Sequence, residues 1–135
     1  MPEDKKQGIE QVIKYWEKTA EHDYKTMVFL FKGKRYSDSL FFGHIVLEKI
    51  LKALVIQKTN QQAPYIHDLV RLQEIAGLEL TKEEKSFLNK INDFNIRARY
   101  PEYKLRFYKL CTQKYTKNYF DKIIKMYTKL CQILK

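Results

Sequence analysis

The stretch from Ser37 to Ile56 constrains the fold more than any other part of the chain. On a helix of about 100° per residue, its apolar side chains fill one half of the cylinder and extend onto the other half. A helix that is apolar around most of its circumference is usually buried by several neighbours. Ser39 and Gly43 share one face, where their small size would let another helix approach closely. The stretch therefore predicts a central helix surrounded by other helices.

Helical spacing of apolar residues predicts a first helix over residues 8–31, with Gly33 as its C-terminal cap. The apolar stripe of this helix contains Asp23. A carboxylate in that position needs a partner, a solvated groove or a shifted pKa. An ion pair with an arginine of a neighbouring helix would satisfy it. A structural and a functional role are equally supported, because that arginine can itself belong to a site.

Turn and capping signals divide the second half of the chain. Asp68 is predicted as the N-terminal cap or a first-turn acid of a short helix, and a capping box that begins at Thr81 opens a longer one. Pro101 ends the longer helix, because the residue before a proline avoids the helical region. Residues 102–115 are predicted to form a long loop, and a final helix is predicted to begin at Thr116.

These elements predict an all-α fold, an antiparallel up-and-down bundle of four long helices plus one short helix, in a single domain over residues 1–135. No run approaches the roughly 18–20 apolar residues of a membrane span, and the N-terminus lacks the apolar core of a signal peptide. The two cysteines, Cys111 and Cys131, lack metal-type spacing and are interpreted as reduced thiols of a cytoplasmic protein. We therefore expect no metal site and no cofactor.

The net charge of +10 is concentrated in the segment from Arg97 to Lys117, where seven basic residues stand against the single acid Glu102. Such a field favours nucleic acid, nucleotides or an acidic protein surface as partners. Arg97 and Arg99 end a predicted helix, a position that favours cations. The two arginines flank one alanine and therefore project to opposite sides, which the helix dipole alone does not require.

Four blocks of the sequence together resemble the HEPN domain family, from about residue 9 to the C-terminus. The blocks are Trp16 with Ala20 and Asp23, the segment Leu47–Leu54, the tripeptide His67–Leu69, and the heptapeptide Arg97–Tyr103. The last contains the Ala-Arg-Tyr-Pro signature of a branch that is often encoded beside a small nucleotidyltransferase. The resemblance implies an antiparallel bundle of helices, usually a dimer, and a role in nucleotide binding or, in other branches, RNA cleavage.

One departure from the family pattern concerns the ribonuclease motif. HEPN ribonucleases carry an arginine followed, after four to six residues, by a histidine that serves as general acid or base. Here His22, His44 and His67 all precede Arg97 and Arg99. The sequence therefore favours a binding module over a ribonuclease.

Two of the upstream histidines are alternative general bases. His44 stacks on Glu48 at i, i+4 beside Lys52. His67 would approach the arginines if the helices pack antiparallel. For each histidine, a hydrogen-bonded or surface role is favoured over a catalytic one.

The leading hypothesis is a helical homodimer that binds a nucleotide, RNA or a nucleotidyltransferase partner, as one half of a toxin–antitoxin-type pair. Its candidate binding residues are Asp23, His67, Asp68, Arg97, Arg99, Tyr100, Tyr103, Lys104 and Arg106. In its most specific form, this hypothesis places Asp23 against Arg97 or Arg99 and leaves the other arginine to bind a phosphate or an acidic residue. The alternatives are a metal-independent ribonuclease with a non-standard general base and a non-catalytic scaffold dimer.

Overall fold

Six helices make up residues 3–135, the part of the chain that a computed structural model describes, with side chains from residue 8 onward. The helices are α1 (Glu3–Lys32), α2 (Tyr36–Thr59), α3 (Leu69–Ile75), α4 (Lys82–Arg99), α5 (Pro101–Leu110) and α6 (Gln113–Ile133). No strand occurs among the described residues. The predicted all-α class and the four long helices are confirmed, and there are two short helices where one was predicted.

Helix α2 is the centre of the bundle, as its sequence predicts. It packs against α1, α3, α4 and α6, and more lightly against α5. Both of its small residues lie at close contacts. The Ser39 hydroxyl donates to the Met27 carbonyl of α1 at 2.9 Å. A Cβ atom at Gly43 would stand 2.5 Å from Cδ1 of Ile123, so the missing side chain lets α6 approach.

The turn between α1 and α2 differs in one detail from the prediction. Gly33 directly follows the helix, but the residue with left-handed backbone geometry is Lys34, at φ 63°. The Lys34 amide donates to the Phe31 carbonyl at 3.0 Å, and the Arg35 amide to the Leu30 carbonyl at 2.8 Å. These are the two bonds of a Schellman motif, in which the second residue after the helix is left-handed. Because α1 extends to Lys32, that second residue is Lys34.

The loop predicted for residues 102–115 is wrong, because most of that segment is α5. Pro101 ends α4 as predicted, but it also occupies the first turn of α5, where its fixed φ and missing N–H are favourable. The last helix begins at Gln113 rather than Thr116, since the Thr112 side chain caps it by accepting from the Tyr115 amide at 3.2 Å. The connection from α5 to α6 is therefore very short.

Among the described residues, no helix combines the length and the apolar character that crossing a membrane requires.

Candidate functional site

A small pocket of about 370 Å³ lies between α4 and α5, and three of the predicted arginine and tyrosine residues line it. We call it the arginine pocket, and its lining is Asp93, Ile96, Arg97, Tyr103 and Arg106. Asp93 and Arg97 stand one helical turn apart on α4 and form an ion pair, with Oδ2 of Asp93 3.1 Å from Nε of Arg97. The pair places the guanidinium at the edge of the pocket.

The rest of the arginine pocket combines positive charge with exposed aromatic surface. Arg106 makes no ion pair in the part of the chain that the structure describes, and neither does Lys104, a predicted site residue that lies outside the lining. Tyr103 exposes about half of its surface, at 48%. Guanidinium groups bind phosphate oxygens with directed hydrogen bonds, and an open tyrosine ring can stack on a planar base. The pocket therefore has the chemistry to hold a small phosphorylated aromatic ligand.

Arg99 and Tyr100 lie outside this lining. The Arg99 guanidinium is 5.8 Å from the centre of the Phe41 ring of α2, which is cation–π geometry. Tyr100 ends α4 and begins α5, and its side chain is 53% exposed. Arg97 therefore lines the arginine pocket and Arg99 contacts the Phe41 ring, in agreement with their predicted projection to opposite sides.

The predicted partner of Asp23 is wrong. Its carboxylate pairs with Lys49 of α2 at 2.5 Å, whereas Arg97 pairs with Asp93 of its own helix. Asp23 is buried and needs a cation, as its position on the apolar stripe indicates. The cation comes from α2 because α1 packs along α2. Asp23 is therefore no part of the arginine pocket.

His67 belongs to a partly exposed polar cluster that we call the Glu48 network: His44, Glu48, Lys52, His67, Asp68 and Asn92. Oε1 of Glu48 lies 2.9 Å from Nδ1 of His67, and Oε2 accepts from Nζ of Lys52 at 3.0 Å. Nε2 of His44 lies 2.9 Å from the backbone oxygen of His67. One carboxylate thus joins the centre of α2 to the segment before α3.

The protonation state of His44 follows from these contacts. A carbonyl oxygen only accepts, so Nε2 of His44 carries the proton and donates to His67. Burial lowers the pKa of His44, against the smaller opposing effect of Glu48. His44 is therefore neutral near pH 7 and has a structural hydrogen bond. The side chain of His67, in contrast, is 56% exposed and contacts Glu48.

Asp68 has the structural role that its sequence position predicts. Its Oδ1 accepts from the Val70 amide at 3.0 Å and caps α3. The same oxygen accepts from Nδ2 of Asn92 at 2.9 Å, and Oδ1 of Asn92 accepts from the Leu69 amide at 2.9 Å. The Asp68–Asn92 contact therefore ties the start of α3 to α4.

The nine predicted site residues thus fall into separate places. The arginine pocket holds Arg97, Tyr103 and Arg106, whereas His67 and Asp68 belong to the Glu48 network. Sequence analysis did not identify Asp93 and Asn92 as functional candidates. The i, i+4 spacing of Asp93 and Arg97 was a sequence signal that could have identified Asp93. No sequence signal pointed to Asn92.

The described residues contain no cluster of three or more His, Cys, Asp or Glu side chains that could hold a metal ion. The two cysteines are free thiols. Burial raises the pKa of Cys111 to about 12, so this thiol stays protonated near neutral pH and is a poor nucleophile.

Comparison with known proteins gives one match. The sequence model of the HEPN domain matches residues 13–135. Neither the curated proteins nor the solved structures contain a significant match to this chain.

Proposed function

We propose that this chain, which belongs to the HEPN domain family, is a binding module whose arginine pocket takes a nucleotide. The observation that carries the proposal is the guanidinium of Arg97, which forms an ion pair with Asp93 and lies beside Arg106 and Tyr103 in one pocket. Because the carboxylate lies against Nε, the terminal N–H groups of the guanidinium stay available for an anion. The phosphate would contact Arg97 and Arg106, and the base would stack on Tyr103.

Titration with AMP, ADP and ATP tests this proposal. Arg97→Ala and Arg106→Ala are each expected to raise the dissociation constant about tenfold, because a charge-assisted hydrogen bond contributes roughly 1.5–3 kcal/mol. The matched control is Arg71→Ala, since Arg71 is an exposed arginine of α3 that pairs with Glu74. Isothermal titration calorimetry measures all variants at two salt concentrations, and affinity should fall with salt. Equal affinities for the wild type and both pocket variants would remove the basis of the site.

A nucleotidyltransferase partner, in a toxin–antitoxin-type pair within the cytoplasm, is the second part of the proposal. The resemblance of the heptapeptide Arg97–Tyr103 to the corresponding family branch supports it, and the net charge of +10 favours an acidic partner surface. Purification from the native host followed by mass spectrometry would identify such a subunit. Recovery of the chain without any nucleotidyltransferase would count against the pairing.

A homodimer is proposed as the assembled form. Leu105 and Tyr108 lie three residues apart on one face of α5, are 64% and 65% exposed, and lie outside the lining of the arginine pocket. An apolar surface of this kind favours association across a two-fold axis.

Light scattering at roughly tens of micromolar is expected to report a dimer mass. Leu105→Lys should give a monomer, because Leu105 is 64% exposed on α5 and a charge there opposes burial. Phe29→Lys is the control, since Phe29 is equally exposed, at 66%, but on α1. A monomeric wild type, or a dimer unaffected by Leu105→Lys, would contradict this assembly.

A metal-independent ribonuclease is the second candidate function. The observation in its favour is the pair formed by Glu48 and the half-exposed His67, since a carboxylate that holds an imidazole is a general-base arrangement. His67 is nevertheless absent from the lining of the arginine pocket, so base and phosphate-binding arginine do not share one cavity.

We expect little or no cleavage when the pure protein is incubated with structured and unstructured RNA. Arg97→Ala, Arg99→Ala and His67→Ala are the diagnostic variants. Robust cleavage that resists a chelator and is lost in these variants would establish the ribonuclease in place of the binding module. If neither cleavage nor nucleotide binding occurs, the scaffold dimer is the remaining interpretation.

A further inference from the structure

A second and larger groove, of about 810 Å³, is lined by residues between Gly8 and Tyr65, whereas the arginine pocket is lined by residues between Asp93 and Arg106. We call it the Trp16 groove. It is formed by the start of α1, the end of α2 and the connection that follows α2, and it shares no lining residue with the arginine pocket. The residues that matter for its chemistry are Val12, Tyr15, Trp16, Lys52, Ile56 and Tyr65.

Three aromatic side chains line this groove, and two of them are strongly exposed. Tyr65 is 90% exposed and Tyr15 is 60% exposed. The Tyr15 and Trp16 rings meet edge to face at 5.5 Å between their centres. Exposed aromatic rings in the lining of a cavity offer a surface on which a planar ligand can stack.

A buried cation, Lys52, also lines the groove. It is only 6% exposed, and its Nζ lies 5.3 Å from the centre of the Trp16 ring. One N–H of the ammonium is committed to Glu48 at 3.0 Å, and that carboxylate is shared with His67. An ammonium group has three donors, so Lys52 retains capacity for an acceptor in the groove. No acidic residue is among the described residues that line the groove.

We propose that the Trp16 groove binds a planar aromatic anion, with the ring stacked against Trp16 and Tyr65 and the anionic group on Lys52. The stacking surface and the buried donor select this chemistry together. A nucleotide and an aromatic carboxylic acid both provide it. The proposal is independent of nucleotide binding in the arginine pocket, because the two cavities use different residues.

The test uses Trp16 as the reporter, because it is the only tryptophan of the chain. The probe is anilinonaphthalene sulfonate, energy transfer from Trp16 reports its binding, and the variants of the groove residues locate the site. N-phenylnaphthylamine, the same ring system without the sulfonate, is the matched neutral probe. The anionic probe is expected to bind about tenfold more tightly. Equal affinity of the two probes, or no energy transfer, would overturn the proposal.

Tyr65→Ala is expected to raise the dissociation constant of the anionic probe about five- to tenfold, through loss of one stacking ring. Tyr108→Ala is the matched control, since Tyr108 is 65% exposed on α5, away from the groove. Lys52→Met should abolish the preference for the anionic probe. If that variant does not fold, Tyr65→Ala and Tyr15→Ala decide the question, because these exposed rings contribute little to the core.

Displacement of the bound probe by AMP would assign a nucleotide to the groove, and displacement by 1-naphthoate alone would assign an aromatic acid. Displacement by neither would overturn the proposal. Arg97→Ala must leave the displacement unchanged, which separates this site from the arginine pocket. An identical response of Tyr65→Ala and Tyr108→Ala would show that the probe binds elsewhere.

Discussion

Replacing Glu48 by glutamine is expected to lower the free energy of unfolding by about 3 kcal/mol. The reason is Lys52, whose side chain is only 7% exposed and has its carboxylate partner in Glu48. Removal of one member of a buried ion pair leaves an uncompensated charge, which costs roughly 3–5 kcal/mol. The lower end of that range applies because the Glu48 side chain keeps 14% of its surface in solvent.

Urea unfolding followed by far-ultraviolet circular dichroism measures this effect. Glu74→Gln is the control, because Glu74 pairs with Arg71 at 53% exposure, where an ion pair contributes at most about 1 kcal/mol. Adding Lys52→Met to Glu48→Gln should recover part of the loss, since the uncompensated ammonium is then removed. A loss below about 1 kcal/mol in the single variant would show that Glu48 does not hold Lys52 in the folded state.

Asp23 shows the limit of sequence reasoning about ion pairs. Its position on an apolar stripe correctly indicated a buried carboxylate that needs a cation. The choice of an arginine from α4 was wrong, because which cation reaches Asp23 depends on which helix packs beside α1. Lys49 is 26% exposed, so after loss of Asp23 its ammonium can turn into solvent. The structural cost should therefore be smaller at Asp23 than at Glu48.

The predictions that succeeded depended on local patterns. The apolar circumference of α2, the cap at Asp68 and the capping box at Thr81 are each encoded within one helix or one turn, and all three are present. The failure to predict α5 also has a local reason. Pro101 is both a stop signal for the helix before it and a favourable first residue for the helix after it, and only the stop signal was used.

The site residues were harder to group than to identify. The sequence singled out His44, Glu48, Lys52 and His67 one by one. It did not show that the Glu48 carboxylate on α2 contacts both Lys52 of the same helix and His67 in the segment before α3. Arg97 and Arg106 face one pocket only because α5 folds back along α4. Contacts of this kind depend on helix packing, which periodicity within one helix does not encode.

Phe107→Ala is expected to lower the free energy of unfolding by about 3–4 kcal/mol and also to disable the arginine pocket. Phe107 is 1% exposed and is the one buried residue of α5. Its ring packs 5.3 Å from that of Phe94 on α4, between ring centres. Truncation of a buried phenylalanine to alanine typically costs about 3–5 kcal/mol, through lost burial and the cavity left behind.

The functional consequence follows from how α5 is held. Its contacts are mainly with α4, and Tyr103 and Arg106 on α5 form one wall of the arginine pocket. Loss of the Phe94–Phe107 contact should therefore release that wall, and nucleotide affinity should fall by more than the roughly tenfold effect of Arg106→Ala alone. Phe29→Ala is the matched control, because Phe29 is a phenylalanine with 66% of its surface exposed on α1, outside the lining of the arginine pocket.

Urea unfolding and AMP titration on the same samples separate the two effects, provided that the titration is done where Phe107→Ala remains folded by circular dichroism. Lower stability with lower affinity supports a pocket that exists only while α5 is docked. Lower stability with unchanged affinity would mean that Arg97 and Asp93 on α4 bind the nucleotide without α5. In that case the basic charge of α5 serves only to attract the ligand, and Arg106→Ala should change the salt dependence of binding more than its strength at high salt.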